Sequence, residues 1–289
     1  MTPSPVVTAF FDKATSTVSY LVADPATGRA AVIDAVLDYD EAAGRTATRS
    51  LDTLAAAVAA SGLTVDWILE THVHADHLSA AQAAKVRFGG APVVIGSAVT
   101  LVQRHFGAVF DLGPDFATDG RQFDRLVGDG ECLRLGSLDI TVMHVPGHTP
   151  ACVAYLIGDA LFVGDALFMP DYGSARCDFP GGSARTLYRS IRRMLALDPA
   201  TRMFVGHDYA PGGRPHAWET TVGDQRRGNV HIHDGVPEDD FVAMREARDA
   251  GLGLPRLILP AVQVNVRAGH LPPAAANGIA YLKIPLNQF

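Results

Sequence analysis

Four short apolar runs in this chain each lead into a histidine or an aspartate. "VDWILE" (65–70) opens into "THVHADH", which places His72, His74, Asp76 and His77 within six residues. "ITVMHVPG" leads to His148, "ALFVG" to Asp165 and "RMFVG" to His207. Apolar runs of this length bounded by turn residues read as buried strands. Titratable groups at the ends of such strands can be buried together only where something offsets their desolvation. If the strands are neighbours, seven ligand-type side chains meet on one rim, and a metal ion suits that mixture of imidazole and carboxylate. Isolated histidines are usually satisfied surface or core residues. His105, His144, His216, His231, His233 and His270 take that reading. Gly147, Gly164 and Gly206 directly precede His148, Asp165 and His207, where glycine lets the backbone turn tightly and approach closely.

The rest of the chain supplies a scaffold for that rim. "STVSYLVAD" (16–24) and "RAAVIDA" (29–35) form a hairpin across "PATG". A helix follows with Ser50 as its N-cap, Leu51, Leu54 and Val58 on one face, and Gly62 as its stop. "LSAAQAAKVRFGG" is a second helix, and "SARTLYRSIRRMLAL" from Ser183 is a third. "APVVIG", "LDITVMHV", "CVAYLIG", "ALFVGD" and "RMFVGHD" are further strands. Hairpins among alternating strands and helices argue against a doubly wound parallel sheet and for two mixed sheets packed together with helices outside, an α+β fold. Residues 1–210 form the catalytic unit. Beyond it the composition turns to Gly, Pro and polar residues, so 211–289 is an extension packed on that unit.

Composition narrows the function. The 289 residues are 48% hydrophobic, enough for a large core. The net charge is −7 with the signs interspersed, and no basic run points to nucleic acid or an anionic membrane surface. No apolar run approaches the ~18 residues of a spanning helix. Cys132, Cys152 and Cys177 include no CxxC and fit a reducing compartment, so a cytoplasmic protein is expected. Cys177 reads as a small buried hydrophobe.

"HVHADH" with "GHTP", "GDALF" and "VGHDY" resembles the metallo-β-lactamase superfamily over about Val6 to Tyr209. The resemblance implies an αββα sandwich with the metal site at one edge of the sheets. In the superfamily's two-metal hydrolases, His72, His74 and His148 would hold the first ion, and Asp76, His77 and His207 the second, with Asp165 bridging. "GDALFMPDYGSARCDFPGGSARTLYRSI" is in turn similar to the persulfide dioxygenase branch, with Arg176, Asp178 and Phe179 on its pattern. Ser174–Ala175 stand where that pattern has Cys–Gly. The C-terminal stretch looks more like a bacterial subgroup. This second resemblance implies one Fe(II) per chain on His72, His148 and Asp165, with His74, Asp76, His77 and His207 around them. It also implies O2-dependent conversion of glutathione persulfide or a related persulfide to sulfite, in a homodimer. The alternative is a thioester hydrolase of glyoxalase II type with two Zn(II). A non-catalytic metal-binding relative is a third reading.

Tyr209 follows His207–Asp208 and is expected to face the substrate sulfur. Arg176 is read either as a bidentate partner of a substrate carboxylate or as the lock of its own loop against Asp178. Arg226 is a further candidate for an anionic substrate end, and Asp208 for supporting a histidine. The arginines of the helix from Ser183 are read as a solvated face.

Overall fold

The computed structural model describes residues 4–288. Strands β1 (Val6–Asp12), β2 (Thr17–Ala23) and β3 (Arg29–Ile33) form an antiparallel meander. β4 (Val36–Asp40) and β5 (Arg45–Ala47) leave it as a small hairpin. After helix α1 (Arg49–Ala60) the chain returns parallel to β3 as β6 (Thr64–Leu69). β7 (Leu78–Ser79) pairs with β4, and α2 (Ala81–Arg87), β8 (Val93–Gly96), α3 (Val99–Val109) and β9 (Arg125–Val127) follow. The first sheet has the order β1-β2-β3-β6-β8-β9. The second takes β10 (Cys132–Leu135), β11 (Leu138–His144), β12 (Val153–Ile157), β13 (Ala160–Phe162), β14 (Arg202–Phe204) and β15 (Glu219–Thr221) in chain order, with α4 (Ala184–Met194) between β13 and β14. Helices α5 (Val222–Gly228), α6 (Glu238–Asp249) and α7 (Ile258–Asn265) complete the chain.

The period of two in the strands builds the layers. Leu21 and Ala23 of β2, with Ala30 and Val32 of β3, face α1, α2, α3 and α7. Val18, Tyr20 and Val22, with Ala31 and Ile33, face the second sheet. Buried on both faces, β2 reads as a continuous apolar run. The second sheet's other face packs on α4, α5 and α6. The result is the expected αββα order of two mixed sheets flanked by helices.

Local details depart from the sequence reading. Ser50 lies inside α1 rather than capping it. Its N–H and hydroxyl donate to the Asp38 carboxylate of β4 at 3.0 and 3.1 Å, and the N-cap position is Thr48. Gly62, at φ +62°, does end that helix. β1 is an added edge strand, half-buried, so no strong alternation marks it. The strand after Ala160 stops at Phe162, and Asp165 stands in a short 3₁₀ turn, Gly164–Ala166. Past residue 210, β15 pairs with β14 at the edge of the second sheet, and Ile258, Val262 and Val266 enter the first core.

Asp24 ties the two sheets at the end away from the ligand loops. Its Oδ2 accepts from Thr27 Oγ1, Ser137 N and Ser137 Oγ at 2.6–2.8 Å, and its Oδ1 from Ala26 N at 3.0 Å. Burial raises its pKa, but these donors outweigh burial and bring it to about 2. A carboxylate depressed on folding contributes stability above its unfolded value and loses it as pH falls through the folded one. Asp24→Asn should therefore cost about 1–3 kcal/mol at pH 7, the range for a buried partner left unsatisfied. The gap to the wild type should close between pH 4 and pH 2, which denaturant melts across that range will show.

Candidate metal centre

Topology brings the ligand loops together. β12 reverses direction between β11 and β13, and β14 runs parallel to β13. β11, β13 and β14 therefore all run toward one edge, where they deliver His148, Asp165 and His207. β6 of the facing sheet delivers residues 71–77 to the same edge. Thr71 O accepts from Val153 N at 2.9 Å, and Glu70 O from the Tyr155 hydroxyl at 2.9 Å, which fastens the loop to β12.

The donor atoms of His72, His148 and Asp165 lie within 4.8 Å of one another, and those of His74, Asp76 and His207 form a second set within the same limit. His77 joins neither. Its ring lies 4.2 Å from that of His74, tilted at 38°, and its Nδ1 donates to Leu78 O at 3.0 Å. Outer nitrogens are anchored and inner ones aimed. His148 Nδ1 donates to Arg176 O at 2.8 Å, and His207 Nδ1 to Ser16 O at 3.2 Å. The Thr71 hydroxyl donates to Asp34 Oδ2 at 2.8 Å, so the same oxygen accepts from His72 Nδ1 at 3.0 Å. That chain leaves the lone pair of His72 on Nε2.

His74 Nε2 and His207 Nε2 meet only carboxylates, Asp34 Oδ1 at 3.0 Å and Asp165 Oδ1 at 3.2 Å, and His72 Nε2, His74 Nδ1 and His77 Nε2 are buried with no hydrogen-bond partner among the described residues. Native interiors rarely leave such atoms unmet. Convergent imidazole and carboxylate atoms, with imidazole nitrogens orphaned among them, fit a divalent metal ion.

The two sets differ in charge state. Burial, reinforced by His74, holds His72 well below the ordinary histidine value, and burial also lowers His148. Burial would raise Asp165, but His207, His72 and His148 keep it well below the usual carboxylate range. Metal ligands must be neutral imidazoles and ionised carboxylates, and this set is in that state already. In the other set, burial is outweighed by Asp165 and Asp76 at His207, which rises to about 10. Asp34 and Glu70 likewise outweigh burial at His74, which rises to about 9.

A cavity of about 430 Å³ opens onto His148, Asp165 and Asp76, between Phe168, Tyr172, Phe179 and Tyr209. Tyr209 is 43% exposed, its ring 4.7 Å from Tyr172 and parallel to His207, and its hydroxyl has no hydrogen-bond partner among the described residues. Arg176 lines the cavity, but both arms of its fork are taken by Asp178 at 2.6 Å and a third nitrogen by Gly253 O at 2.7 Å. It locks the loop whose carbonyl holds His148. Arg226 is not among the cavity's lining residues and pairs with Asp234 at 2.9 Å. Asp208 supports no ligand histidine. It binds Arg214 at 2.7 and 2.8 Å and Ala217 N at 2.9 Å. His231 and His144 bond to the backbone, as structural histidines do.

Asp34 and Glu70 carry no motif signal in the sequence. Asp34 sits at φ +50°, unusual for a non-glycine residue. Its Oδ1 accepts Thr71 N at 2.8 Å and lies 3.0 Å from His74 Nε2. Glu70 accepts from Ser79 Oγ at 3.0 Å, and burial lifts its pKa to about 8. The only clue available was their place at the ends of apolar strands.

The glycines before the ligands are sites of close approach. A Cβ on Gly206 would stand 2.8 Å from Asp165 Oδ1 and 3.2 Å from the Gly164 backbone. Gly206→Ala should leave the protein folded yet lower its metal affinity by about 10–100-fold, the usual cost of disturbing groups that orient ligands. Competition with a chromophoric chelator measures it, and unchanged affinity would remove Gly206 from the site.

The geometry has counterparts among known proteins. The family model "Metallo-beta-lactamase superfamily" matches residues 12–207. A probable metallo-hydrolase of Burkholderia pseudomallei (strain 1710b) is 59% identical over 97% of this chain and 99% of its own length. Glyoxylase B2 of Dictyostelium discoideum is 46% identical, covering 97% of each. The human mitochondrial persulfide dioxygenase ETHE1 is 28% identical over 92% of this chain and 89% of its own. In three bacterial relatives 52–54% identical, the match spans 65% of their length. The crystal structure of ETHE1 from Myxococcus xanthus superposes with a TM-score of 0.73 at 32% identity, covering 92% of this chain and all of that one. With its ligand loops, two sheets and outer helices in these positions, the chain belongs to the metallo-β-lactamase superfamily.

Proposed function

We propose that this metal-dependent enzyme is a persulfide dioxygenase holding one Fe(II) on His72, His148 and Asp165. The observation that carries the reading is the set of two histidines and one carboxylate, with His148 and Asp165 facing the cavity, although Asp165 Oδ1 also lies 3.2 Å from His207 Nε2. That composition is the facial triad of non-haem iron sites. His74, which a two-metal site would share with His72 and His148, has its ring 4.0 Å from that of His72 but its Nε2 3.0 Å from Asp34. Bound iron would supply the centre at which O2 meets the persulfide sulfur, one persulfide, O2 and water giving a thiol, sulfite and two protons. The chain's own groups prepare that step. His72 and His148 are already neutral, Phe168 and Phe179 keep the inner wall apolar, and the Tyr209 hydroxyl is free to donate to a substrate sulfur or oxygen.

A two-zinc thioester hydrolase is the second reading, favoured by the set of His74, Asp76 and His207 and by the Dictyostelium relative's name. The two diverge at Asp76. Under the iron reading, wild-type protein carries about one iron and makes sulfite from glutathione persulfide only with O2. Asp76→Ala then keeps its iron at saturating metal and turns over about 10–100-fold more slowly. Metal analysis, O2 uptake and anaerobic thioester hydrolysis decide between them. Strong anaerobic thioesterase without sulfite, with about one ion lost in Asp76→Ala, sinks the dioxygenase.

Four arginines line the cavity. Arg176 pairs with Asp178, Arg245 with Asp249 and Arg256 with Glu41, while Arg248 has no carboxylate partner among the described residues. Arg248 is therefore the group that receives an anionic end of the substrate, a role Arg226 does not fill. Arg248→Glu should raise KM for glutathione persulfide at least tenfold, about 1.4 kcal/mol, and leave kcat nearly unchanged, the pattern of lost uniform binding. Steady-state kinetics at two salt concentrations test it, and an unchanged KM would rule Arg248 out.

A further inference from the structure

The loop 71–77 has no regular secondary structure, yet His72, His74 and His77 are almost completely buried. Thr71 O is met by Val153 N of β12, but the loop's other carbonyls need donors from elsewhere. For two of them the donor comes from nearly two hundred residues away. Asn265, the last residue of α7 and itself buried, donates one amide N–H to His74 O and the other to His77 O, each at 2.8 Å. Its Oδ1 accepts Ser79 N at 2.8 Å. One side chain thus holds the loop at both ends of its Asp76–His77 corner and at the strand beyond.

The seat for Asn265 is built on several sides. Val264, Ala261 and Leu257 pack on Leu78 of β7. Gln103 of α3 donates to Val266 O at 3.0 Å, and Gln82 of α2 to Ala268 O at 3.1 Å. The turn then passes so close to β7 that a Cβ on Gly269 would meet Ser79 O at 2.9 Å. Ala268 and Gly269 take positive φ to make it. Apolar packing fixes the end of α7, and that end fixes the Asn265 amide.

From this geometry we infer that Asn265 is a positioning residue for the metal centre, and that the C-terminal helix is part of the ligand-holding apparatus. Asn265 touches no metal-directed atom. It acts through the backbone of His74 and His77, setting where the His74, Asp76 and His77 side chains start. Metal binding and the docking of α7 are then one coupled equilibrium. Whatever loosens α7 weakens the metal, and metal tightens α7. The inference rests on the metal-centre reading and not on the choice between oxygenation and hydrolysis.

Asn265→Asp is nearly isosteric. It keeps the acceptor for Ser79 N but sets a carboxylate oxygen against two carbonyls. Gln263→Ala is the control. Gln263 is buried in the same helix, but it bonds Leu259 O and Lys283 and no residue of the ligand loop. The full chain, stripped of metal, is titrated with Co(II), read by its visible absorption and by chelator competition. Asn265→Asp should bind Co(II) about 10–100-fold more weakly with an altered spectrum, while Gln263→Ala stays within about twofold of wild type even where its Tm falls. If Asn265→Asp does not fold, Asn265→Ser, which keeps one donor, is measured against the same control with the same expectation. Wild-type affinity and spectrum in the Asn265 variant, or an equal loss in Gln263→Ala, would overturn the inference. Because Co(II) binding is read rather than turnover, failure here leaves the persulfide reading untouched.

Discussion

The burial of seven ligand-type side chains at one edge of the sandwich is the constraint on which the structure turns. Each imidazole or carboxylate taken from water costs several kcal/mol unless it is paired. The fold meets part of that cost through its own hydrogen bonds. Asp34 takes the Thr71 amide and hydroxyl, the hydroxyl takes His72, and backbone oxygens take the outer nitrogens of His77, His148 and His207. His72 Nε2, His74 Nδ1 and His77 Nε2 stay unmet. A pre-aimed, under-satisfied cluster needs little ligand rearrangement to take up a metal ion.

Asp34 bears the largest share. Its N–H donates to Leu69 O and its carbonyl accepts from Ser19 Oγ, so a backbone in the left-handed region is held from every side. Strain of this kind persists only where neighbours over-determine it. Here the return is position. The carboxylate reaches Thr71 and His74 from the adjacent strand, and through Thr71 it sets the tautomer of His72.

The two halves of the cluster are not equivalent. His72, His148 and Asp165 are poised as neutral, neutral and anionic, while His74 and His207 are raised by the carboxylates beside them. The first set opens on a cavity with aromatic walls and an arginine-rich mouth. That opening gives the candidate metal centre a concave approach of the kind small molecules occupy. The superfamily alone does not name the reaction.

Sequence by itself marked the candidate metal ligands, the sheet-on-sheet architecture and the strands that carry the site. The physical reason is local. An apolar strand followed by glycine and a ligand residue has few other uses, and HVHADH puts four such residues in one loop. What it could not determine depends on distant partners. Arg176 was open between substrate and Asp178 until the loop's geometry placed Asp178 in its fork. Arg226 is a candidate in the sequence and Arg248 carries no signal there, and only the folded chain places Arg248, not Arg226, on the cavity. Asp34, Glu70 and Asn265 are unremarkable in the chain. Their roles arise because β3, β6 and α7 meet behind one loop, from positions up to nearly two hundred residues away, and no local pattern records who will be neighbours.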